Sequence, residues 1–283
     1  MGLEMLQDLR KMKEISVEEL LKLQVEILEK VDRYCRANSI PYSVYGGTCI
    51  GAVRHKGYIP WDDDIDIAMT RPNYERFIHS FNGKVENLVL YAPELDWNYY
   101  APYANVCDTR TILDEGENGH NGMEIGVKID VFPMDLTPTN TEEYMANVAT
   151  VNKYWDILKI KRMRLNLVWK HSKRNWLRLS LKRFFYIFQS YASIQKKIRA
   201  IAIKYSNDKS DLLTLVCYHF DRDTRCSKSV FDEYIDTPFE TINVSIMKGY
   251  DECLSKFYGD YMKLPPEEKR IPHHGFTAYW KEL

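Results

Sequence analysis

Four aspartates fall within five positions in "WDDDIDIAM": Asp62, Asp63, Asp64 and Asp66. On an extended strand, side chains two residues apart share a face. Asp64 and Asp66 are therefore expected to project together, with Ile65 and Ile67 turned into the core. Asp62 joins them only if the strand already runs that far. Neighbouring carboxylates repel, and one takes up a proton unless a cation lies between them. A hard divalent cation, magnesium or manganese in its place, accepts oxygen ligands and keeps water in its other positions. A lone D-x-D often marks no more than the exposed end of a strand, so the flanking residues decide its value.

Upstream stands Gly46-Gly47-Thr48. Two glycines between a strand and a helix let the backbone approach a ligand closely, and a helix N-terminus offers N–H groups to an anion. Thr48 adds a hydroxyl. Arg54, His55 and Lys56 lie between that turn and the aspartates; a guanidinium can clamp phosphate through two hydrogen bonds. Downstream, "IGVKIDVFPMD" alternates like a strand and supplies Asp130 as a third carboxylate. The combined plan is phosphate on the turn, with metal on the carboxylates.

The elements that must position these residues follow from periodicity. Ser16 and Glu19 have capping-box spacing, and Leu20, Leu23, Ile27, Val31 and Cys35 mark one helix face. "PYSVY" reads as a short strand, "TCIGAVRH" as a two-turn helix, "DIDIAM" as a half-buried strand, and "RPNYERFIHSF" as a helix with Pro72 in its first turn. Residues 82–126 give mixed short strands and aromatic loops. Helical spacing returns in "TEEYMANVATVNKYWDIL", and "YDECLSKFYGDYMKLPPEEKRIPHHGF" reads as a last helix with a Pro-rich basic tail. The expected class is α/β (α+β): a core with a small mixed sheet over 1–138, then a largely helical region over 139–283.

Composition narrows the function classes. With 283 residues, 45% hydrophobic, the chain can bury a sizeable core. No window approaches the roughly 20 apolar residues of a membrane-spanning helix. The N-terminus has no secretory-type apolar stretch. Six scattered cysteines without a C-x-x-C pair suit buried thiols in a reducing cytoplasm. The net charge of −1 hides an asymmetry. From Ile157 to Lys204 there are 14 Lys or Arg and no acidic residue, so the remaining 25 basic residues face all 40 acidic ones.

The run "GGTCIGAVRHKGYIPWDDDIDIAMTRPNYERF", with "IDVFPMD" and "YGDYMKLPPEEKRIPHH", resembles the LicD family of phosphocholine transferases, to which fukutin-related proteins are also similar. Residues 139–230 carry least of the resemblance, and Cys49-Ile50 stand where two larger aliphatics are usual. The resemblance implies a nucleotidyltransferase-type fold and magnesium-dependent transfer of phosphocholine from CDP-choline to a hydroxyl of a cell-surface glycan precursor, of teichoic acid, lipopolysaccharide or capsule type, with release of CMP. By matching position it implies Asp64 and Asp66 as the metal pair, Asp130 as third carboxylate, and Gly46, Gly47 and Thr48 as the phosphate turn. The resemblance also implies that the tail completes the active site, with Arg270, His273 and His274 placed to touch the donor diphosphate. Choline would need aromatic faces around its quaternary ammonium; Trp61, Trp97, Tyr99, Tyr100 and Tyr103 are candidates.

Other readings stay open from the residues alone. The donor alcohol could be ribitol or glycerol phosphate, also on CDP. The glycine turn and D-x-D equally suit a template-free nucleotidyltransferase, and a lapsed, non-catalytic scaffold is a third reading. The basic segment 159–205 interleaves Trp169, Trp176, Leu177, Phe184, Phe188 and Tyr191 with Lys170, Lys173, Arg174, Arg178, Lys182 and Arg183. That pattern predicts an in-plane helix on an anionic membrane, near a lipid-linked or polymeric acceptor. The location expected is the cytoplasmic face of the cell membrane; a nucleic-acid partner is not expected.

Overall fold

The computed structural model describes residues 12–207, 210–271 and 275–281. A two-residue strand, β1 (Glu14–Ile15), leads into α1 (Val17–Ala37). The expected cap is present: Ser16 Oγ accepts from Glu19 N at 3.2 Å. The reciprocal arm of a capping box is not, because Glu19 Oε1 instead accepts from Trp280 Nε1 at 3.1 Å. Leu20, Leu23, Ile27, Val31 and Cys35 all lie on the buried face.

Strand β2 (Ser43–Val44) and the short α2 (Gly46–Ile50), continued by a π-helical turn over Gly51–His55, precede β3 (Asp66–Thr70) and α3 (Arg71–Ser80). Then come β4 (Leu88–Tyr91), β5 (Ala104–Asp108), β6 (Thr111–Asp114) and β7 (Lys128–Leu136). The helices α4 (Thr141–Arg162), α5 (Leu165–His171), α6 (Lys173–Phe185) and α7 (Tyr191–Ala202) follow. Beyond them lie β8 (Leu212–Thr214), β9 (Cys226–Ser227), the hairpin β10 (Tyr234–Phe239) and β11 (Ile242–Met247), α8 (Tyr250–Tyr258) and β12 (Thr277–Trp280).

The central mixed sheet runs β2-β3-β7-β5-β4, with β8 and β9 continuing from the far end of β7. Only β3 and β7 are parallel within it. Ile65, Ile67 and Val131 enter the main core with α1 and α3. Ala68, Phe132 and Met134 point to a second cluster with Tyr45, Leu215 and Phe231. A bidentate pair, Arg71 Nε to Asp135 Oδ1 at 2.7 Å and Nη2 to Oδ2 at 2.8 Å, locks α3 to β7. A second sheet, β1-β12-β6, is antiparallel throughout.

The class is α+β as expected. The region after residue 138 is largely helical as expected, and five short strands are interspersed among its described residues. Strands β8 and β12 complete sheets begun before that residue. Long-range pairing explains part of this: β8, β9 and β12, of two to four residues, carry almost no periodic signal of their own, whereas the six-residue β10 and β11 form a local hairpin. Segment 159–205 is likewise four pieces, because α4 runs on to Arg162 and α5, α6 and α7 are separate helices. The six cysteines are free and buried, and no described helix is long and apolar enough to cross a membrane.

Candidate active site

The parallel pairing of β3 with β7 puts Asp66 directly beside Asp130. Antiparallel β5 puts Asn105 on the other side of Asp130. The strand starts at Asp66, so Asp64 precedes it in an irregular segment, yet both line one cavity of about 450 Å³ with Asp130 and Gly46. The backbone holds this geometry tightly. Asp66 N donates to Thr48 Oγ1 at 2.9 Å, Tyr45 N donates to Asp66 O at 2.9 Å, and Asp130 N donates to Ile65 O at 2.9 Å.

The glycine turn does approach closely, and what approaches it is carboxylate. Gly46 has a φ of +56°, and a Cβ there would lie 3.3 Å from Asp66 Oδ2; one on Gly47 would clash with Asp62 Oδ2. Thr48 is buried, its oxygen committed to the Asp66 amide.

Burial, then the charges of Asp64, Asp130 and Asp62, push the Asp66 carboxyl well above the usual carboxylate range, with Lys128 pulling the other way. This all-oxygen set suits a hard divalent cation in its donor chemistry. Among the described residues, no three His, Cys, Asp or Glu side chains already close around one point. Asp130 is already hydrogen-bonded. Its Oδ1 accepts from Asn105 Nδ2 and from Lys128 Nζ, the latter at 2.8 Å. Asn105 in turn accepts from the hydroxyls of Tyr99 and Tyr100.

Lys128 escaped the sequence reading, although period two puts it on the same face as Asp130. It is enclosed, which alone would push its ammonium down, but Asp130, then Tyr100, Tyr103 and Glu115, hold it well above the usual value and therefore charged. Arg162, at the end of α4, lines the same cavity with its guanidinium 5.4 Å from the Tyr100 ring centre. Its Nε is buried without a hydrogen-bond partner.

Aromatic rings form the wall on the other side. Tyr103 packs on Phe132 (centroids 4.4 Å apart), and Trp155 and Tyr218 stand 5.9 Å apart, each 6.2 Å from Tyr103. Phe220 and Phe257 continue the wall toward Tyr258. Trp155 is oriented by a hydrogen bond from Nε1 to Cys217 O at 2.7 Å. All of these line the carboxylate cavity. Of the five aromatics expected from the sequence, Tyr100 and Tyr103 line it. Tyr99 is fully buried behind Asn105, Trp97 packs near Lys196, and Trp61 packs near His55 and Arg270. The decisive rings at 155, 218, 220, 257 and 258 come from distant segments, which local spacing does not reveal.

The other basic candidates are placed elsewhere. Arg54 donates from Nη1 to Tyr261 O and from Nε to His55 Nε2 at 2.9 Å, tying the π-helical turn to the segment after α8. Burial lowers its pKa and, with Arg54, that of His55. Lys56 takes a left-handed conformation (φ +62°) and accepts from Glu240 N at 2.9 Å. Arg270 donates from Nε to Pro265 O at 2.8 Å, its guanidinium 5.8 Å from the Trp61 ring centre. None of these is among the residues lining the carboxylate cavity. His273 and His274 lie outside the described residues.

Comparison with known proteins meets this geometry directly. Residues 39–156, which hold the glycine turn, all four carboxylates and Trp155, match the family model described as "LicD/FKTN/FKRP, nucleotidyltransferase domain". The lipopolysaccharide cholinephosphotransferase LicD of Haemophilus influenzae is 31% identical over 280 residues, covering 95% of this chain and 99% of that protein. This chain belongs to the LicD family. Uncharacterized proteins of Rickettsia prowazekii and Rickettsia typhi are 44% identical over 57 residues, or 20% of this chain and 19% and 16% of theirs. Membership of the LicD family makes the protein a transferase. Its cavity draws Arg162, Tyr218, Phe220, Phe257 and Tyr258 from outside the matched domain.

Proposed function

We propose that this protein transfers phosphocholine from CDP-choline to a hydroxyl of a membrane-presented glycan precursor and releases CMP. The Haemophilus relative supports the phosphocholine and the lipopolysaccharide-type acceptor. One observation carries the donor reading: the cavity that holds Asp64, Asp66 and Asp130 is walled by Tyr103, Trp155, Tyr218 and Phe220. A quaternary ammonium cannot donate hydrogen bonds and is held by ring faces. Choline's two-carbon arm would keep that ammonium on the rings while its phosphate reaches the carboxylate side.

In this reading Asp64 and Asp66, with Asp130, would hold magnesium, which would neutralise charge on the donor phosphates. The acceptor oxygen forms a bond to the phosphorus bearing choline as the bond to the CMP phosphate breaks. The hydroxyl proton passes to a carboxylate of the set, Asp64 or Asp130. Lys128 and Arg162 supply fixed positive charge at the cavity, suited to a phosphate of the donor. Thr48 and the β3–β7 pairing keep the carboxylates from moving apart.

Ribitol or glycerol phosphate donors would call for hydrogen-bonding groups where this cavity has rings. The test is CMP release from CDP-choline, CDP-ribitol, CDP-glycerol and CTP in magnesium and in chelator. CDP-choline should be cleaved fastest, and only with metal. Faster release from CDP-ribitol or CDP-glycerol would overturn the donor reading, and undiminished release in chelator would overturn the metal.

A further inference from the structure

Among the described residues, exposed large apolar side chains are densest on α6 and the turn after it, none of which lines the cavity. None of this helix's residues is buried. Leu177, Leu181 and Phe184, spaced i, i+4, i+7, share one face and are 55%, 54% and 68% exposed. Phe185 and, in the turn beyond, Ile187 and Phe188 extend it, Phe188 being 97% exposed. Lys173, Arg174, Arg178 and Lys182 are exposed beside this stripe, and no acidic residue occurs between positions 157 and 204 to balance them.

The inner side of the same helix is built. Ser172 caps it by accepting from Asn175 N at 3.3 Å, Trp176 meets Trp169 edge-on at 4.8 Å, and Arg183 Nη1 donates to Met163 O at 3.2 Å. The two helices α5 and α6 therefore form a hairpin with a packed inner seam and a bare apolar outer face. Tyr191, by contrast, turns into a core cluster with Ile194 and Ile198, which confines the exposed stripe to α6 and its following turn. The hairpin is fixed to the cavity wall. Arg164 N donates to Glu117 O at 2.8 Å, and His171 Nδ1 lies 2.7 Å from Glu117 Oε1. Glu115 and Asn118 of that loop line the cavity.

We propose that residues 173–188 form a docking surface that lies in the plane of an anionic lipid bilayer. The inference deepens the proposed function, resting on its membrane-presented acceptor. Charge complementarity selects the occupant. An apolar stripe edged by uncompensated cations matches the boundary between acyl chains and anionic headgroups. A second copy of the same face would set Lys and Arg against Lys and Arg. A nucleic acid would neutralise the charge but leave Phe184, Phe185 and Phe188 in water.

The test is co-sedimentation of the full chain with phosphatidylcholine vesicles and with vesicles containing phosphatidylglycerol, at low and moderate salt. The wild type should pellet with the anionic vesicles and weakly or not at all with the neutral ones. The triple variant Arg174→Glu, Arg178→Glu, Lys182→Glu should bind the anionic vesicles roughly a hundredfold more weakly. The variant Leu181→Ser, Phe184→Ser, Phe188→Ser should lose binding at moderate salt. Both variants, altered only at exposed positions, should keep the wild-type melting temperature and wild-type CMP release from soluble CDP-choline. Equal pelleting with both vesicle types, or none, would overturn the docking surface. So would binding to RNA with no lipid preference, or a sedimentation shift to dimer lost in the Ser variant. Absence of CDP-choline cleavage alongside intact vesicle binding would instead overturn the enzymatic reading alone.

Discussion

Lys128 Nζ lies 2.8 Å from Asp130 Oδ1, two residues away on the strand face that also brings Asp130 beside Asp66. An ammonium therefore sits where three carboxylates gather, and supplies positive charge to them in the metal-free protein. Removing one partner from a largely enclosed pair leaves the other uncompensated, at up to about 3–5 kcal/mol. Lys128→Met should lower the melting temperature in chelator by on the order of 10 °C. Millimolar magnesium should restore part of that loss by supplying the missing charge. A deficit unchanged by magnesium in thermal denaturation would show that the carboxylates do not hold the metal.

Asp64→Asn and Asp66→Asn should each reduce CMP release at least a hundredfold, about 3 kcal/mol of transition-state stabilisation. The fold should survive, because the backbone bonds of Asp66 to Thr48 and Tyr45 do not involve its carboxylate. In chelator, Asp66→Asn should melt higher than the wild type, since one of several repelling charges is gone. Wild-type turnover in both variants at saturating magnesium would refute the assignment.

Trp155→Leu and Tyr218→Leu test the aromatic wall. Each ring face contributes about 0.5–2 kcal/mol to holding a cation. The expected result is a 2- to 30-fold rise in KM for CDP-choline with kcat little changed. The preference for CDP-choline over CDP-glycerol should shrink by the same factor. An equal loss with both donors would mean that the rings shape the cavity without reading choline.

Glu115, on the same cavity, gives a pH-dependent signal of its own. Burial pushes its carboxyl up, but His120, Lys128 and Arg162 together outweigh that and hold it down at about 2, against an ordinary 4.5. His120 Nε2 contributes from 3.3 Å without a well-aligned hydrogen bond. A depressed folded value stabilises the protein above the unfolded value, and that stability is lost as pH falls from 4.5 toward 2. The amount is about 3 kcal/mol. Glu115→Gln should therefore be less stable at pH 7, and its urea midpoint should change less between pH 5 and pH 2.5. Parallel acid profiles for the two proteins would contradict this account.

The parts of the site legible in the sequence are those written in local period. Ser16 and the apolar face of α1, the alternation that yields β3 and β7, and the pairing of Asp66 with Asp130 across them all follow from spacing of two, three or four residues. Asp64 lines the cavity with Asp66, but from an irregular segment rather than the strand, which begins two residues after it. What spacing does not carry is which distant segment a side chain meets. Arg54 looked like a phosphate clamp by position, yet its guanidinium is committed to the Tyr261 carbonyl, 207 residues away in the chain. Trp155 and Tyr218 acquire meaning only when α4 and the loop after β8 fold over the same sheet face. Lys128 was within reach of the reading, since the same period-two rule used for the aspartates applies to it.

Strand β12 has a bearing on how the enzyme comes into being. It bridges β1 and β6, and Gly275 and Phe276 just before it line the cavity. A nascent chain emerging from the ribosome has its aspartates early, but gains this part of their enclosure only once residues 275–280 have been released and have paired backward across more than 160 positions. Such distant pairing is slow to form. Closing this side of the acidic cavity is thus a late event in folding, because it waits on the backward pairing of β12.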